Sequence, residues 1–201
     1  MNTSSESGAA PAPLHVAVIY GSAREGRLAD KVGGWVVQEM RREAGFTIDV
    51  VDPLTLGLPA HFAGEHDPAA AALRERLALA DAFVIVTPEY NHSFPATLKA
   101  IVDAAHDEWE AKPVGFVSYG GMSGGIRAVE QLRQVFAGFN AVSVRNGVAL
   151  TSAWERFGPD GALLAPERPR RTLHLMLAQL RWWGRALRRA REIEPLSALA
   201  A

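Results

Sequence analysis

Three short segments of the sequence carry residues that could do chemistry, and the first suits an anion. Residues 21–27 read GSAREGR, in which Gly21 lets the chain turn sharply where an apolar run ends. The Ser22 hydroxyl and the forked donors of Arg24 and Arg27 match phosphate oxygens, and the helix that follows adds free N–H groups. A polar turn with two solvated arginines is the alternative. Two arginines beside the positive end of a helix dipole are costly without an anion, so we expect a phosphate.

The second segment suits a flat ring with polar edges. Residues 87–95 read TPEYNHSFP, and the prolines restrict the backbone. Pro88, Glu89, Tyr90 and Asn91 place an acid, an aromatic ring and an amide side by side, and a partly polar heterocycle needs this mixture. The alternative is a rigid turn before a helix, with Tyr90 at the surface.

The third segment is rich in glycine. Residues 118–125 read SYGGMSGG, so the backbone could approach a planar ligand closely, although a flexible connection is the alternative. Together the three segments indicate a mononucleotide with a large heterocycle rather than a free sugar phosphate. The first segment is neither GxGxxG nor GxxxxGKS/T, which disfavours a dinucleotide-binding Rossmann site and a P-loop ATPase.

The elements that must position these segments alternate between strands and helices. Apolar runs predict strands at residues 14–20, 46–51, 82–87 and 113–119 and within 141–150, with a bend at 146–147. Helical spacing predicts helices at 28–44, 68–80, 95–110, 126–136 and 169–192, and 53–66 reads as an irregular connection. Alternation at this spacing predicts an α/β fold with a five-stranded parallel sheet in the order 2-1-3-4-5 and helices on both faces. The three segments follow strands one, three and four, at the edge where such sheets bind ligands.

Composition narrows the class of protein further. Hydrophobic residues make up 48% of the 201 residues and charged residues 21%, which predicts one globular domain at 14–193 between a disordered tail at 1–13 and a flexible tail at 194–201. The formal net charge of −1 gives no reason to expect nucleic acid, and no apolar run is long enough to cross a membrane. There is no cysteine, so any redox chemistry needs a bound cofactor, and the histidines lack metal-ligand spacing. We expect a cytoplasmic protein without a metal.

The stretches GSAREGR, TPEYNHSFPATLKAIVDAA and KPVGFVSYGGMSGGIRAVEQLR strongly resemble the NAD(P)H-dependent FMN reductase family over nearly all of residues 14–150. The resemblance implies a flavodoxin-like three-layer sandwich that binds FMN without a covalent link. It implies a phosphate site at Ser22, Arg24 and Arg27, with backbone help from Leu28 and Ala29. It places the isoalloxazine ring beside Pro88, Glu89, Tyr90 and Asn91, with its other edge at Ser118, Tyr119, Gly120 and Gly121.

The same resemblance implies ping-pong chemistry, with NADPH or NADH as donor and a quinone, free flavin or similar small molecule as acceptor. Hydride would reach the flavin N5, backbone N–H groups of residues 118–121 would stabilise negative charge at N1, and no side chain is named as catalytic. Relatives imply a homodimer or homotetramer, with contacts predicted on helices 95–110 and 169–192. Trp154, Trp182 and Trp183 are expected in the core or at subunit contacts.

Two other functions stay open at this stage. One is a flavodoxin-type electron carrier, and the other is a flavin-binding sensor without turnover. The first is disfavoured because the net charge is near zero and the T-x-T-G-x-T run of flavodoxins is missing.

Overall fold

A parallel sheet forms the middle layer of the fold. The structure is a computed structural model that describes residues 12–59, 66–196 and 198. The strands are β1 (Leu14–Tyr20), β2 (Phe46–Val51), β3 (Ala82–Pro88), β4 (Pro113–Tyr119), β5 (Val142–Ser143) and β6 (Val148–Leu150). Their order is β2-β1-β3-β4-β5, β6 also pairs with β4, and every pair is parallel. The predicted fold class and strand order are confirmed.

The fifth predicted strand forms as two short pieces on the same neighbour. Val142 pairs with Pro113 and Val148 with Val117, so β5 and β6 both lie along β4. The predicted bend at 146–147 lies between these two strands. At Gly147 the backbone passes so close to β4 that a Cβ would come within 2.9 Å of the Phe116 carbonyl oxygen. Only glycine allows the backbone to pass this close to β4.

Helices cover both faces of the sheet, as predicted. They are α1 (Ala29–Arg42), α2 (Pro53–Leu56), α3 (Pro68–Leu79), α4 (Ala96–Asp103), α5 (Ile126–Ala137) and α6 (Glu167–Ile193). Alternate residues of β1 serve the two faces: Val16 and Val18 belong to the core under α1 and α6, and Ala17 and Ile19 to the core under α3, α4 and α5. All four are fully buried, and complete burial of a valine or isoleucine contributes roughly 1.5–3 kcal/mol.

The predicted helix at 95–110 is wrong in its second half. α4 ends at Asp103, and a separate 3₁₀ turn, Asp107–Trp109, follows it. Trp109 is fully buried, with its ring 4.6 Å from that of Phe83, and its indole N–H donates to the carbonyl oxygens of Val102 and Ala105. Because the helix ends early, this ring can enter the core and its N–H can bond one carbonyl near the end of α4 and one just after it. In the predicted irregular connection, the structure has α2, whose first turn is capped by the Asp52 side chain.

The tail predictions fall largely outside the described residues. Residues 1–11, 60–65, 197 and 199–201 are not described, so the disordered N-terminal tail and the flexible C-terminal tail stay predictions. Among the described residues, no helix has the length and apolar character needed to cross a membrane. The same part of the chain has no group of three or more histidine or acidic side chains that could hold a metal ion.

Candidate functional site

A cleft of about 290 Å³ opens at the carboxyl edge of the sheet, where β1, β3 and β4 end. All three predicted segments contribute to its walls. The predicted site residues that line it are Arg24, Arg27, Leu28, Pro88, Glu89, Tyr90, Tyr119, Gly120 and Gly121. Ser22, Ala29, Asn91 and Ser118 do not line it. The cleft also has Glu25, Gly26, Ala153 and Trp154 in its walls.

The first turn of α1 offers unpaired donors beside this cleft. Leu28 occupies the N-cap position without a side-chain cap, and the amides of Leu28 and Ala29 have no acceptor among the described residues. Arg24 is exposed next to this turn, and its guanidinium carbon lies 3.6 Å from the centre of the Tyr90 ring. Free N–H groups and a cation at the start of a helix favour an anion.

Arg27 lines the cleft, and its guanidinium is held by protein partners. Its Nε and Nη2 donate to Asp30 Oδ1 at 3.0 and 2.7 Å, and its Nη1 donates to Ser22 O at 2.6 Å. Nη1 and Nη2 also donate to the two carboxylate oxygens of Asp52, at 2.7 and 2.5 Å. The hydrogen bond between them raises the pKa of the Arg27 guanidinium and lowers that of the Asp52 carboxyl. Because all five N–H donors of the arginine are used, none is left for a phosphate in this arrangement.

Ser22 and Ala29 are both fully buried. The Ser22 hydroxyl lies 2.8 Å from the Tyr90 hydroxyl, so it supports that ring instead of reaching the cleft. Ala29 begins α1, and its backbone N–H has no acceptor among the described residues.

A tight turn holds Tyr90. Asn91 and His92 both have a left-handed backbone, with φ of 49° and 67°, and the amides and carbonyls of Tyr90 and Ser93 exchange hydrogen bonds of 2.8 and 3.0 Å. This is a two-residue turn of type I′, for which asparagine is well suited. Gln131 of α5 pins the turn, because it accepts from the Ser93 hydroxyl and donates to the His92 carbonyl. Asn91 is exposed and shapes the turn rather than the cleft wall.

Glu89 ties the glycine-rich segment to the end of β3. Its carboxylate accepts hydrogen bonds from the Ser123 hydroxyl at 2.7 Å, from Arg127 Nη1 at 2.8 Å and from the Arg127 amide at 3.2 Å. Burial alone would raise the pKa of Glu89, but the hydrogen bonds from Arg127 and Ser123 outweigh it and lower the pKa below its usual value. The carboxylate is therefore ionised and committed to protein partners.

The glycine-rich segment forms one wall of the cleft. The Gly120 amide donates to Leu150 O at 3.1 Å, whereas the Gly121 amide has no acceptor among the described residues. Ser118 is buried, and its hydroxyl donates to Gly124 O at 2.8 Å, which closes the segment into a loop. Of the amides at 118–121, that of Gly121 is the one free to meet a ligand.

Tyr119 carries a buried hydroxyl without a partner. Tyr119 lines the cleft, and no described residue bonds its buried Oη. Burial raises the pKa of Tyr119, and the neighbouring Tyr90 raises it further, so the phenol stays protonated. A buried hydroxyl left unpaired costs about 1–3 kcal/mol, which a ligand with a polar group would relieve. The orphaned Tyr119 hydroxyl, the uncapped start of α1 and the free Gly121 amide together fit a ligand such as FMN, which has a phosphate, hydroxyls and a heteroaromatic edge.

Trp154 is the cleft residue that sequence reasoning placed elsewhere. It is 60% exposed, not in the core, and its ring lies 3.5 Å from where a Cβ of Gly121 would be. Ser152, in the left-handed region with φ of 45°, directs the chain there, and the amides of Ser152 and Ala153 donate to the carbonyls of Gly121 and Gly120. The available signal was position: Trp154 follows the last strand and so comes to the same sheet edge as the three segments.

Comparison with known proteins places the chain in a family. Residues 14–155 match the family model described as NADPH-dependent FMN reductase. An NAD(P)H-dependent FMN reductase of Schizosaccharomyces pombe is 40% identical over 136 residues, which are 62% of this chain and 66% of that protein. An NAD(P)H:quinone oxidoreductase of Solanum tuberosum is 31% identical over 143 residues, covering 67% of this chain and 74% of that protein. The structure of a flavoenzyme NAD(P)H:(acceptor) oxidoreductase from Paracoccus denitrificans shares the fold, with a TM-score of 0.69 at 22% identity over 86% of this chain and 98% of that one. The chain belongs to the NADPH-dependent FMN reductase family.

Proposed function

We propose that the protein holds one FMN non-covalently in this cleft and transfers electrons from a reduced nicotinamide to a small acceptor. The observation that carries the proposal is that an uncapped helix start, an aromatic ring and a glycine wall meet in one cleft. Membership of the NADPH-dependent FMN reductase family supplies the classes of cofactor and donor.

The residues divide into those that would touch the cofactor and those that hold them in place. Arg24 and the amides of Leu28 and Ala29 would bind the phosphate, and Tyr119 would donate its unpaired hydroxyl to a polar group. The ring would lie between two walls, one made by Pro88 and Tyr90 and the other by Gly120 and Gly121. Further residues would act through these contacts: Ser22, Glu89, Asn91 and Ser118.

The chemistry needs positioning more than proton transfer by the protein. FMN, when bound, would supply a ring that takes a hydride from the nicotinamide and passes a hydride to the acceptor, with the second proton of a reduced quinone coming from water, so that the two substrates use the cleft in turn. Around this ring, Glu89 is held ionised by Arg127, and Tyr119 is held protonated by its burial. Neither group exchanges a proton near neutral pH, which supports a site without a general acid or base. The free Gly121 amide offers a neutral donor for negative charge at the ring edge.

A flat acceptor such as a quinone fits the open side of the cleft best. Trp154 lies there with 60% of its surface exposed, and Met122, at the tip of the glycine-rich segment, is 93% exposed. Apolar side chains exposed beside a cleft favour an aromatic or quinonoid molecule over a small ion. The Solanum tuberosum relative is named a quinone oxidoreductase and the Schizosaccharomyces pombe relative an FMN reductase, so the choice of a quinone over free flavin rests on the exposed apolar side chains.

We further propose a homodimer or homotetramer in the cytoplasm that binds neither nucleic acid nor membrane. Support for self-association comes from α6, where Leu175 and Trp182 are at least half exposed in the single chain. Light scattering on the purified protein tests the proposed assembly, because a single-chain mass would contradict it.

An absorbance spectrum followed by anaerobic titration tests the function. We expect a flavin spectrum that bleaches directly with NADPH or NADH and returns on addition of a quinone. Arg24→Gln should weaken FMN binding, whereas Arg168→Gln, which removes the same charge from an exposed site on α6, should not. Bound flavin that neither nicotinamide reduces would contradict the proposed reaction and favour an electron carrier served by a separate reductase.

A further inference from the structure

The side chain of Arg27 joins the first segment of the cleft to the end of β2. Parallel pairing sets Ile19 of β1 beside Val51 of β2, so the residues that follow the two strands leave the sheet next to each other. Asp52 follows β2 directly, and Arg27 reaches it from the loop that follows β1. The Arg27 side chain is only 3% exposed.

We propose that Arg27 and Asp52 form a clamp that holds residues 22–28 in the shape that binds the FMN phosphate. Arg27 is then a positioning residue and not a phosphate ligand. The inference rests on the proposed function and deepens it, because it says what makes the phosphate site rigid.

The geometry of the loop supports a clamp. Arg27 Nη1 donates both to Ser22 O, at the start of the loop, and to Asp52 Oδ1, outside it. A direct phosphate contact through Nη1 would have to break one of these bonds, so that the Ser22 carbonyl or the Asp52 carboxylate loses its hydrogen bond to the arginine. The bond from Arg27 to the Ser22 carbonyl links the two ends of the loop. It holds the Leu28 amide next to the cleft, where that amide has no acceptor among the described residues.

The charges point the same way. Asp52 and Asp30 both pair with Arg27, so the three side chains together carry a net charge of −1 and give no attraction for an anion. The attraction must come from Arg24 and from the amides that begin α1.

Asp52 is itself held rigidly, which a clamp requires. Its Oδ1 also accepts from the Leu54 amide at 3.0 Å, and its carbonyl accepts from the Thr55 hydroxyl at 3.0 Å. The carboxylate is therefore fixed by contacts with α2 as well as by Arg27. Asparagine at this position would keep the helix cap but would no longer receive the two-pronged hydrogen bond of the guanidinium.

The test compares how tightly flavin-free protein binds FMN and riboflavin, measured by quenching of flavin fluorescence. The variants are Asp52→Asn, Arg27→Gln and both together. Asp67→Asn, which makes the same change at the cap of α3 away from the cleft, is the matched control. Riboflavin lacks the phosphate, so an effect confined to FMN reports on the phosphate site.

The clamp predicts that Asp52→Asn and Arg27→Gln each weaken FMN binding about tenfold, the loss expected for one charge-assisted hydrogen bond. Riboflavin binding should change little, and the double variant should bind FMN about as well as either single variant, because both remove one interaction. A directly bound phosphate predicts the opposite for Asp52→Asn. Removing a negative charge and freeing the guanidinium would then leave FMN binding unchanged or make it tighter, and either result overturns the clamp, as do additive losses.

If circular dichroism shows that the other variants do not fold, Arg27→Lys tests the clamp instead. Lysine keeps the charge but cannot make the five-donor fork, so the clamp predicts the full loss of FMN affinity. Retained affinity would overturn it. Failure of the wild-type protein to bind FMN would instead refute the proposed function, whereas tight wild-type binding with unaltered Asp52→Asn refutes the clamp alone.

Discussion

Replacing Gly121 with alanine tests whether glycine is needed at this position for FMN binding or for the stability of the fold. A Cβ at this position would meet only Trp154, at 3.5 Å, which is an ordinary contact, and the backbone there is not left-handed. Alanine is therefore compatible with the folded chain. The free energy of unfolding of the flavin-free protein should stay the same or rise by about 0.4–1 kcal/mol, because alanine has less backbone freedom to lose.

Binding of FMN should respond in the opposite direction. Gly121 lines the cleft, and a methyl group there would take space that the ring of a bound FMN needs. Inserting a methyl group into a well-packed contact costs about 1–3 kcal/mol, so the Kd for FMN should rise roughly five- to a hundredfold.

Gly125→Ala is the matched comparison in the same segment. The backbone of Gly125 has φ of +88°, and a Cβ would come within 2.7 Å of Ser118 Cβ and 2.9 Å of the Tyr119 amide nitrogen. We expect a loss of roughly 2–4 kcal/mol in the free energy of unfolding, from the left-handed backbone and the overlap together. Urea unfolding of both flavin-free variants, with FMN titration of Gly121→Ala, checks the reasoning. Wild-type FMN affinity in Gly121→Ala would refute the glycine wall, and wild-type stability in Gly125→Ala would refute the packing argument.

Three further outcomes are expected. Burial raises the pKa of Asp81, but the hydrogen bonds from Arg188 and the His15 amide outweigh it, so the pKa in the folded protein lies below the usual 3.8. The ion pair therefore stabilises the fold above pH ~4. Urea unfolding should show Asp81→Asn to be about 1 kcal/mol less stable than wild type at pH 7, and this difference should shrink as the pH falls to 3. Glu89→Gln should weaken both FMN binding and apo stability, the latter by about 1 kcal/mol, because the bond to Arg127 loses its charge; equal FMN affinity would contradict its anchoring role. Trp154→Phe should reduce the quenching of tryptophan fluorescence by FMN, and unchanged quenching would remove Trp154 from the cleft.

Much of the fold could be predicted because its longer strands are mostly apolar runs that end at clear turn signals. Residues 14–20 and 113–119 have the bounds expected from their sequence, since buried strands end where the apolar run ends. Residues 46–51 also have the expected bounds, although this edge strand is mostly half-buried and contains Asp49. The helix at 95–110 could not be predicted in full, because its early end depends on a pocket for Trp109 built by residues distant in the chain. The helical spacing of apolar residues does not reveal that Phe83 and Phe136 pack around Trp109.

The site shows the same division. Segment composition and strand order were enough to bring Arg24, Tyr90 and Gly121 to one cleft. The partners of Arg27 were not foreseen, although the predicted order already set the strand before Asp52 beside the strand before the loop. The sequence could not show that Asp30 and Asp52 would occupy the Arg27 guanidinium in place of a phosphate, because this depends on both carboxylates lying within 3 Å of it.

Arg188 holds the start of β1 and the end of α6 together at one edge of the sheet. Its Nη2 donates to the carbonyl of Pro13, just before β1, and its guanidinium pairs with Asp81, just before β3. Nearby on α6, Arg191 donates to the carbonyl of Ala111, shortly before β4. Both ends of the domain are thus fastened at the amino edge of the sheet, and the cleft opens at the carboxyl edge. A surface tether joined at Pro13 or at the end of α6 would therefore turn the cleft towards solution.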